Sequence, residues 1–154
     1  MNCRYEEVIA CAVTVNVDLL DIDDVEFEWH SAKDFPTATT MAAIVGSGKD
    51  FKLWLNEDAK WASASDAEIL FVVSHEMRHA WQIKNGWKFN CYKQSDELAR
   101  GEYNDQDAEV DAWAWASVVY EKLVGNAPQL EKIFSCELIE KIKQRKSDIK
   151  IISN

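Results

Sequence analysis

The chain reads ILFVVSHEMRHAWQI at residues 69–83 and so contains the pattern H-E-x-x-H between His75 and His79. The apolar run before the first histidine, with no proline or glycine inside the segment, predicts a helix of about twenty residues. Ser65 and Glu68 have the spacing of a capping box at its start, and an Asn-Gly pair follows its end. The rest of the chain is interpreted relative to this helix.

The two histidines of this pattern have the spacing of a metal site. Side chains four residues apart on a helix lie about 5–6 Å from each other on one face, so His75 and His79 can direct two imidazole nitrogens at one ion. Glu76 then stands beside the ion, where a carboxylate can take a proton from water without being a ligand. The chain has three histidines, and two are in this pattern. The alternative is that the histidines are structural and bind no metal.

A second helix is predicted at about residues 105–124, with Asn104 or Asp105 as its N-cap and a glycine after its end. Its first turns are acidic, and Glu109 and Asp111 lead directly into the apolar segment AWAWA. A carboxylate at the rim of a buried helix needs a partner, and a metal cation is a sufficient one. Three protein ligands with a fourth position open form a catalytic zinc site. This reasoning leaves both carboxylates open as the third ligand.

The histidine pattern followed by EVDAWAWA at residues 109–116 resembles the gluzincin type of zinc metallopeptidase. It is similar to the form found in small phage-associated metallopeptidases and in ImmA/IrrE-like regulatory proteases. The resemblance implies a zincin-like domain in which His75, His79 and Glu109 bind zinc. It implies that Glu76 is the general base.

The chain departs from the gluzincin pattern at one position. Many gluzincins carry an aspartate four residues after the ligand glutamate, where it orients a histidine, and here that position is Trp113. Asp111 or Asp107 is the alternative orienting carboxylate, and Asp111 also stays open as the third ligand. Arg78 is expected to pair with one of these two aspartates. The resemblance covers about residues 65–125.

The function that the resemblance implies is zinc-dependent hydrolysis of a peptide bond. Glu76 would take a proton from the zinc-activated water and pass it to the leaving amine. Tyr103, Tyr92 and Arg78 are candidate donors to the charge that develops on the tetrahedral oxygen, and Tyr103 is chosen because of its position near Glu109. The competing interpretation is a non-catalytic, metal-stabilised interaction or regulatory protein on the same scaffold.

The remaining segments predict a small sheet and two further helices. Residues 4–20 favour a helix, although part of this segment alternates like a strand. Three segments have the composition and alternation of strands: 25–30, 39–45 and 51–56. The last two are predicted to form a hairpin with a loop of about five residues, and the strand nearest the metal helix is expected to offer an edge to an extended peptide.

The fold class predicted for residues 1–154 is a single α+β domain. A small, mostly antiparallel sheet packs on the H-E-x-x-H helix, and the second helix and an amphipathic C-terminal helix at residues 129–149 complete the core. Residues 86–103 form a longer connection than is usual between helices. This segment is expected to act as a cleft wall or lid.

Composition limits the possible partners. A net charge of −10 and a pI near 4.7 argue against binding to a nucleic-acid backbone, and no apolar run approaches the roughly 20 residues of a membrane span. Four cysteines without C-x-x-C spacing, and an N-terminus unlike a signal peptide, favour a cytoplasmic protein with reduced, mostly buried thiols. A peptide or protein substrate is the expected partner, and the oligomeric state is not predicted.

Overall fold

The computed structural model describes residues 4–47, 50–87 and 103–149. This part of the chain contains four helices and a three-stranded sheet, which confirms the predicted α+β class. The elements in chain order are α1 (Arg4–Leu20), β1 (Glu26–His30), β2 (Ala42–Ser47), β3 (Asp50–Asn56), α2 (Asp66–Lys84), α3 (Asp107–Val124) and α4 (Cys136–Asp148). None of the described helices is long and apolar enough to cross a membrane.

The sheet has the strand order β1-β3-β2 and is mixed. β3 pairs in parallel with β1 and antiparallel with β2, so the predicted mostly antiparallel sheet is wrong in one of its two pairings. The strand β3 takes the central place because Leu53 and Leu55 are fully buried on its inner face. The strand expected to offer an edge to a peptide is therefore paired on both sides, and the edges are β1 and β2.

The β2–β3 hairpin is tighter than predicted. Pairing continues to Ser47 and Asp50, so only residues 48–49 separate the strands instead of a loop of about five. Gly46 makes this possible because it adopts a φ of +119°. A Cβ at this position would lie 2.1 Å from the carbonyl oxygen of Asp50, so the close approach of the two strands requires glycine.

Helix α2 begins as its sequence predicts. The Ser65 hydroxyl accepts a hydrogen bond from the Glu68 backbone N–H at 3.1 Å, and the Glu68 carboxylate accepts one from the Ser65 N–H at 2.7 Å. These two bonds form the expected capping box. One face of the helix is fully buried through Ile69, Val73 and Met77. The helix is therefore fixed at its start and along its length.

Helix α1 is held to the site helices by a buried amide. Asn16 is fully buried and donates to the Ser74 hydroxyl at 2.9 Å, while its side-chain oxygen accepts from the Trp115 indole N–H at 2.8 Å. This amide joins α1, α2 and α3 at one point. The prediction of a helix at residues 4–20 is confirmed, because the strand-like alternation lies on a helix packed against the core.

Helices α3 and α4 start later than predicted. Helix α3 follows Gln106 as its N-cap, not Asn104 or Asp105, and ends before Gly125 in the left-handed conformation. Helix α4 begins only after Ser135, whose hydroxyl accepts from a backbone N–H of the first turn. The earlier part of the predicted C-terminal helix contains a short 3-10 turn at Leu130–Lys132.

The predicted lid segment and the predicted buried cysteines remain to be compared with the structure. Most of the expected cleft wall or lid, residues 88–102, lies outside the described residues. Cys11 and Cys136 are free, but both are exposed, so the expectation of buried thiols is wrong for these two. Cys3 and Cys91 lie outside the described residues.

Candidate metal centre

Helices α2 and α3 bring three predicted ligands together. The Nε2 atom of His75 lies 3.0 Å from Oε2 of Glu109, and the Nε2 atom of His79 lies 3.0 Å from Oε1 of the same carboxylate. The two Nε2 atoms are 3.1 Å apart. His75, His79 and Glu109 are 4%, 9% and 0% exposed. This buried cluster can hold a metal ion.

The donor set is one that binds divalent metals, zinc among them. Two imidazole nitrogens and one carboxylate are a common ligand set of catalytic zinc sites, and tetrahedral bonds of about 2.0–2.1 Å place ligand atoms roughly 3.3 Å apart. The two Nε2 atoms, 3.1 Å apart, are close to that separation, and each lies 3.0 Å from a different oxygen of the Glu109 carboxylate. The three side chains therefore stand around one point where a metal ion can be held.

The alternative ligand Asp111 faces a different direction. Two residues apart on a helix, side chains point about 200° away from each other, so Glu109 and Asp111 cannot both face the histidines. The Asp111 carboxylate accepts from Arg78 at 2.8 and 3.1 Å and from Arg145 of α4 at 2.7 Å. Burial opposes ionisation of Asp111, but the bonds from Arg78 outweigh it and hold the pKa of this carboxyl below its usual value. The predicted pairing of Arg78 with an aspartate is confirmed for Asp111.

A residue that sequence reasoning missed contacts one of the histidines. Oε1 of Gln82 lies 2.8 Å from Nδ1 of His79, and Gln82 is fully buried. The sequence predicts an orienting carboxylate on α3, at Asp111 or Asp107. Asp111 instead contacts the amide of Gln82, and Asp107 is exposed. The signal in the sequence was the spacing of three residues from His79, which places Gln82 on the same helix face.

The other histidine has an aromatic neighbour at the position where gluzincins often have an aspartate. The rings of His75 and Trp113 have centroids 3.7 Å apart and planes inclined by 34°. Nδ1 of His75 is buried and has no hydrogen-bond partner among the described residues. Trp113 therefore supports His75 by packing, while His79 is supported by a hydrogen bond.

The charges in the cluster favour a cation next to the Glu109 carboxylate. Burial alone would lower the pKa of His79, but the charge and hydrogen bond of Glu109 outweigh it and raise this pKa to about 9. For Glu109, burial favours the neutral acid, yet the two histidines hold its pKa well below the usual value. Without metal, a proton on His79 thus supplies the cation that Glu109 requires.

Glu76 stands beside the ligand cluster and outside it. Its Oε1 lies 3.9 Å from Nε2 of His75, and its Oε2 accepts from the backbone N–H of Ile44 on β2 at 3.3 Å. The side chain is 16% exposed, and burial raises the pKa of its carboxyl. The carboxylate therefore lies between the edge strand β2 and the histidines.

Tyr103 lies where it was expected, next to Glu109. Its hydroxyl is 3.1 Å from Oε1 of Glu109 and donates to that carboxylate. The other tyrosine that was considered, Tyr92, lies outside the described residues. Tyr103 thus places a polar hydroxyl at the edge of the cluster.

Comparisons of the chain with protein-family models, curated proteins and solved structures found no match. The functional assignment therefore depends on the chemistry of the site itself. That chemistry consists of a buried group of three side chains that can hold a metal ion, with a fourth ionisable group, Glu76, beside it.

Proposed function

We propose that the protein is a zinc-dependent peptidase of the gluzincin type. The observation that carries this proposal is the buried convergence of His75, His79 and Glu109, with the Glu76 carboxylate 3.9 Å from the first histidine and outside the ligand set. These are the residues that the sequence resemblance assigns as ligands and base. Two helices supply them, so their separation is fixed by the packing of α2 against α3.

The three ligands would hold the metal, and Glu76 would carry the proton. When bound, zinc supplies Lewis acidity, which lowers the pKa of water toward neutrality and polarises a carbonyl group. Glu76 accepts the proton of the attacking water and returns it to the leaving amine. Burial raises the pKa of the Glu76 carboxyl, which makes it a stronger proton acceptor than an exposed glutamate.

A catalytic role is favoured over a purely structural metal site for two reasons. A structural zinc site normally has four protein ligands, whereas the cluster among the described residues has three. Glu76 also stands outside the ligand set, with Oε1 3.9 Å from Nε2 of His75, which is where a base for metal-assisted hydrolysis is needed. An open position beside a base is what hydrolysis requires.

Tyr103 is the proposed donor to the substrate oxygen. Its hydroxyl contacts Oε1 of Glu109 at 3.1 Å. From this position beside the ligand cluster, the hydroxyl would donate to the charge that develops on the substrate carbonyl oxygen.

The edge strand β2 supports a peptide as the substrate class. The backbone N–H of Ile44 points to Glu76, away from β3. Backbone groups on this side of β2 are therefore directed toward the metal centre. An extended peptide that pairs with this edge would bring its backbone next to the base.

Metal content is the first test of the proposal. We expect about one zinc per chain in the purified protein. The isosteric variant Glu109→Gln should lose zinc, and Asp107→Asn, which changes an exposed carboxylate one half-turn earlier on α3, should retain it. Elemental analysis without chelator measures this. Wild-type protein that takes up no added zinc would refute the proposal and leave the histidines with a structural role.

Hydrolysis is tested with the base removed. We expect Glu76→Gln to retain zinc and to lose about 10²–10⁴-fold in the rate of cleavage of a fluorogenic casein. The zinc-loaded wild type is the matched comparison because the substitution changes one atom. Equal rates for both proteins, with zinc bound in both, would instead favour the non-catalytic, metal-stabilised interaction or regulatory protein.

A further inference from the structure

We infer that Gln82 is a positioning residue that orients His79 toward the metal and that Asp111 holds Gln82 in place. The inference rests on the proposed metal site and assigns a role to a residue outside the ligand set. It is carried by a chain of contacts from Nδ1 of His79 through the Gln82 amide to Asp111. The residues in this chain belong to α2 and α3.

The orientation of the Gln82 amide follows from its neighbours. The nitrogen Nε2 lies 2.8 Å from the carbonyl oxygen of Ala108 and 2.8 Å from Oδ2 of Asp111. A carbonyl and a carboxylate only accept hydrogen bonds, so the NH₂ group must face both of them. The oxygen Oε1 must therefore face His79.

This orientation determines which nitrogen of His79 keeps its proton in the neutral ring that a metal would bind. Oε1 of Gln82 is an acceptor, so Nδ1 of His79 must be the donor of the 2.8 Å hydrogen bond. In the neutral ring, Nε2 then has the free lone pair, and this nitrogen faces Glu109 at 3.0 Å. The Gln82 amide thus fixes both the direction of the ring and the nitrogen that is available to a metal.

Asp111 makes this arrangement stiff. Its carboxylate receives bonds from Arg78 of α2 and Arg145 of α4 in addition to the Gln82 amide. The residue is 1% exposed, so these bonds have little competition from water. The guanidinium of Arg78 is in turn packed 3.6 Å from the centre of the Trp81 ring. Gln82 is therefore attached to a network that three helices hold.

Of the two histidines, only His79 has a hydrogen bond at Nδ1 among the described residues, and Gln82 accepts it. Nδ1 of His75 has no hydrogen-bond partner among the described residues, and Trp113 contacts this ring only by stacking. In the described part of the chain, the bond that Nδ1 of His79 donates to Gln82 is thus the one hydrogen bond made by a histidine Nδ1 in the cluster. Loss of this bond should weaken metal binding more than loss of other buried amides.

The test measures metal binding in variants of Gln82. We expect Gln82→Met, which fills the same space without a strong acceptor, to weaken Zn²⁺ binding by about 10–100-fold and to alter the visible spectrum of the Co²⁺-loaded protein. Gln82→Glu keeps an acceptor for His79 but places a second carboxylate beside Asp111. It should lower thermal stability and weaken Zn²⁺ binding by less than Gln82→Met does, because His79 keeps an acceptor while the bond to Asp111 is lost.

A matched control separates orientation from general packing. Asn16 is another fully buried amide that joins three helices, and it contacts neither ligand histidine. We expect Asn16→Leu to lower thermal stability and to leave Zn²⁺ affinity and the Co²⁺ spectrum unchanged. Competition with a chromophoric chelator gives the affinities on intact protein.

Three results would overturn the inference while the wild type still binds zinc. The first is a Zn²⁺ affinity and a Co²⁺ spectrum of Gln82→Met that match those of the wild type. The others are a loss of Zn²⁺ affinity in Gln82→Glu, or in Asn16→Leu, as large as the loss in Gln82→Met. A wild type that binds neither Zn²⁺ nor Co²⁺ would instead refute the proposed function, and this inference with it. If Gln82→Met does not fold, nitrogen NMR of the zinc-loaded wild type decides: a slowly exchanging Nδ1 proton on His79 supports the inference, and rapid exchange overturns it.

Discussion

At the scale of residues, the site is a set of buried charges that compensate one another. Glu109 is fully buried between two imidazole rings, and in the metal-free protein a proton on His79 balances its charge. A divalent metal would supply the same positive charge from the same position. Proton and metal should therefore compete for Nε2 of His79.

This competition predicts a pH dependence of stability for the metal-free protein. The pKa of His79 is raised from 6.5 to about 9 on folding. Its stabilising contribution is therefore complete below about pH 6.5 and is lost as the pH rises through about 9. We expect chelator-treated protein to lose stability across this window in urea unfolding experiments. The affinity for zinc should rise over the same window.

The control for this prediction is Glu109→Gln, which removes the charge that raises the pKa of His79. This variant should lack the loss of stability between about pH 6.5 and 9. The zinc-loaded wild type should also lack it, since the metal has displaced the proton. A metal-free wild type whose stability is flat across the window would contradict the assignment of the proton to His79.

At the scale of elements, helix α2 carries most of the site. It supplies His75, Glu76, His79 and Gln82, all within eight residues of each other along the chain, and its start is fixed by the capping box of Ser65. Because a helix has a fixed rise and rotation per residue, the relative positions of these four side chains depend on α2 being intact. Loss of the cap should therefore destabilise the whole helix.

The capping box gives a prediction for stability. We expect Ser65→Ala to reduce the free energy of unfolding by about 1 kcal/mol, because the N–H of Glu68 loses its acceptor. Urea unfolding measures the change. Ser63→Ala changes another exposed serine, in the preceding 3-10 turn, whose hydroxyl makes only an exposed bond to the carbonyl of Lys60, and it should change stability by less than about 0.5 kcal/mol. Equal effects of the two substitutions would show that the cap is unimportant.

At the scale of the whole molecule, helix α4 is connected to the metal centre through Asp111. Arg145 of α4 contacts Oδ1 of Asp111 at 2.7 Å, and Asp111 holds Gln82. A second ion pair, Lys146 with Glu121, joins the same two helices but contacts no member of the network. The two basic residues are neighbours in sequence and form a natural comparison.

We expect Arg145→Met to reduce stability by about 1–2 kcal/mol, because a buried carboxylate loses one of its charged donors. Lys146→Met should cost less than about 1 kcal/mol, since this ion pair is partly exposed. Urea unfolding gives both values. Zinc affinity should fall only in Arg145→Met, and a larger loss of affinity in Lys146→Met would show that α4 acts through its general position.

The sequence by itself determined what depends on neighbours along the chain. The helix at α2, its capping box and the common face of His75 and His79 follow from spacings of three and four residues, and all three were predicted. Hairpin pairing of β2 with β3 was also predicted, although Gly46 makes the turn tighter. Local geometry has few solutions, and the residue pattern selects among them.

Only the tertiary structure decided what depends on segments far apart in sequence. The packing of α3 on α2 turned Glu109 toward the histidines and Asp111 toward Arg78, a choice that the acidic sequence left open. The parallel pairing of β1 with β3 covered the expected edge of β3 and left β1 and β2 as the edges, and Gln82 gained its partners on α3 only when that helix was in place. A one-residue rotation of a packed helix exchanges the side chains that it buries, and no local pattern fixes that rotation.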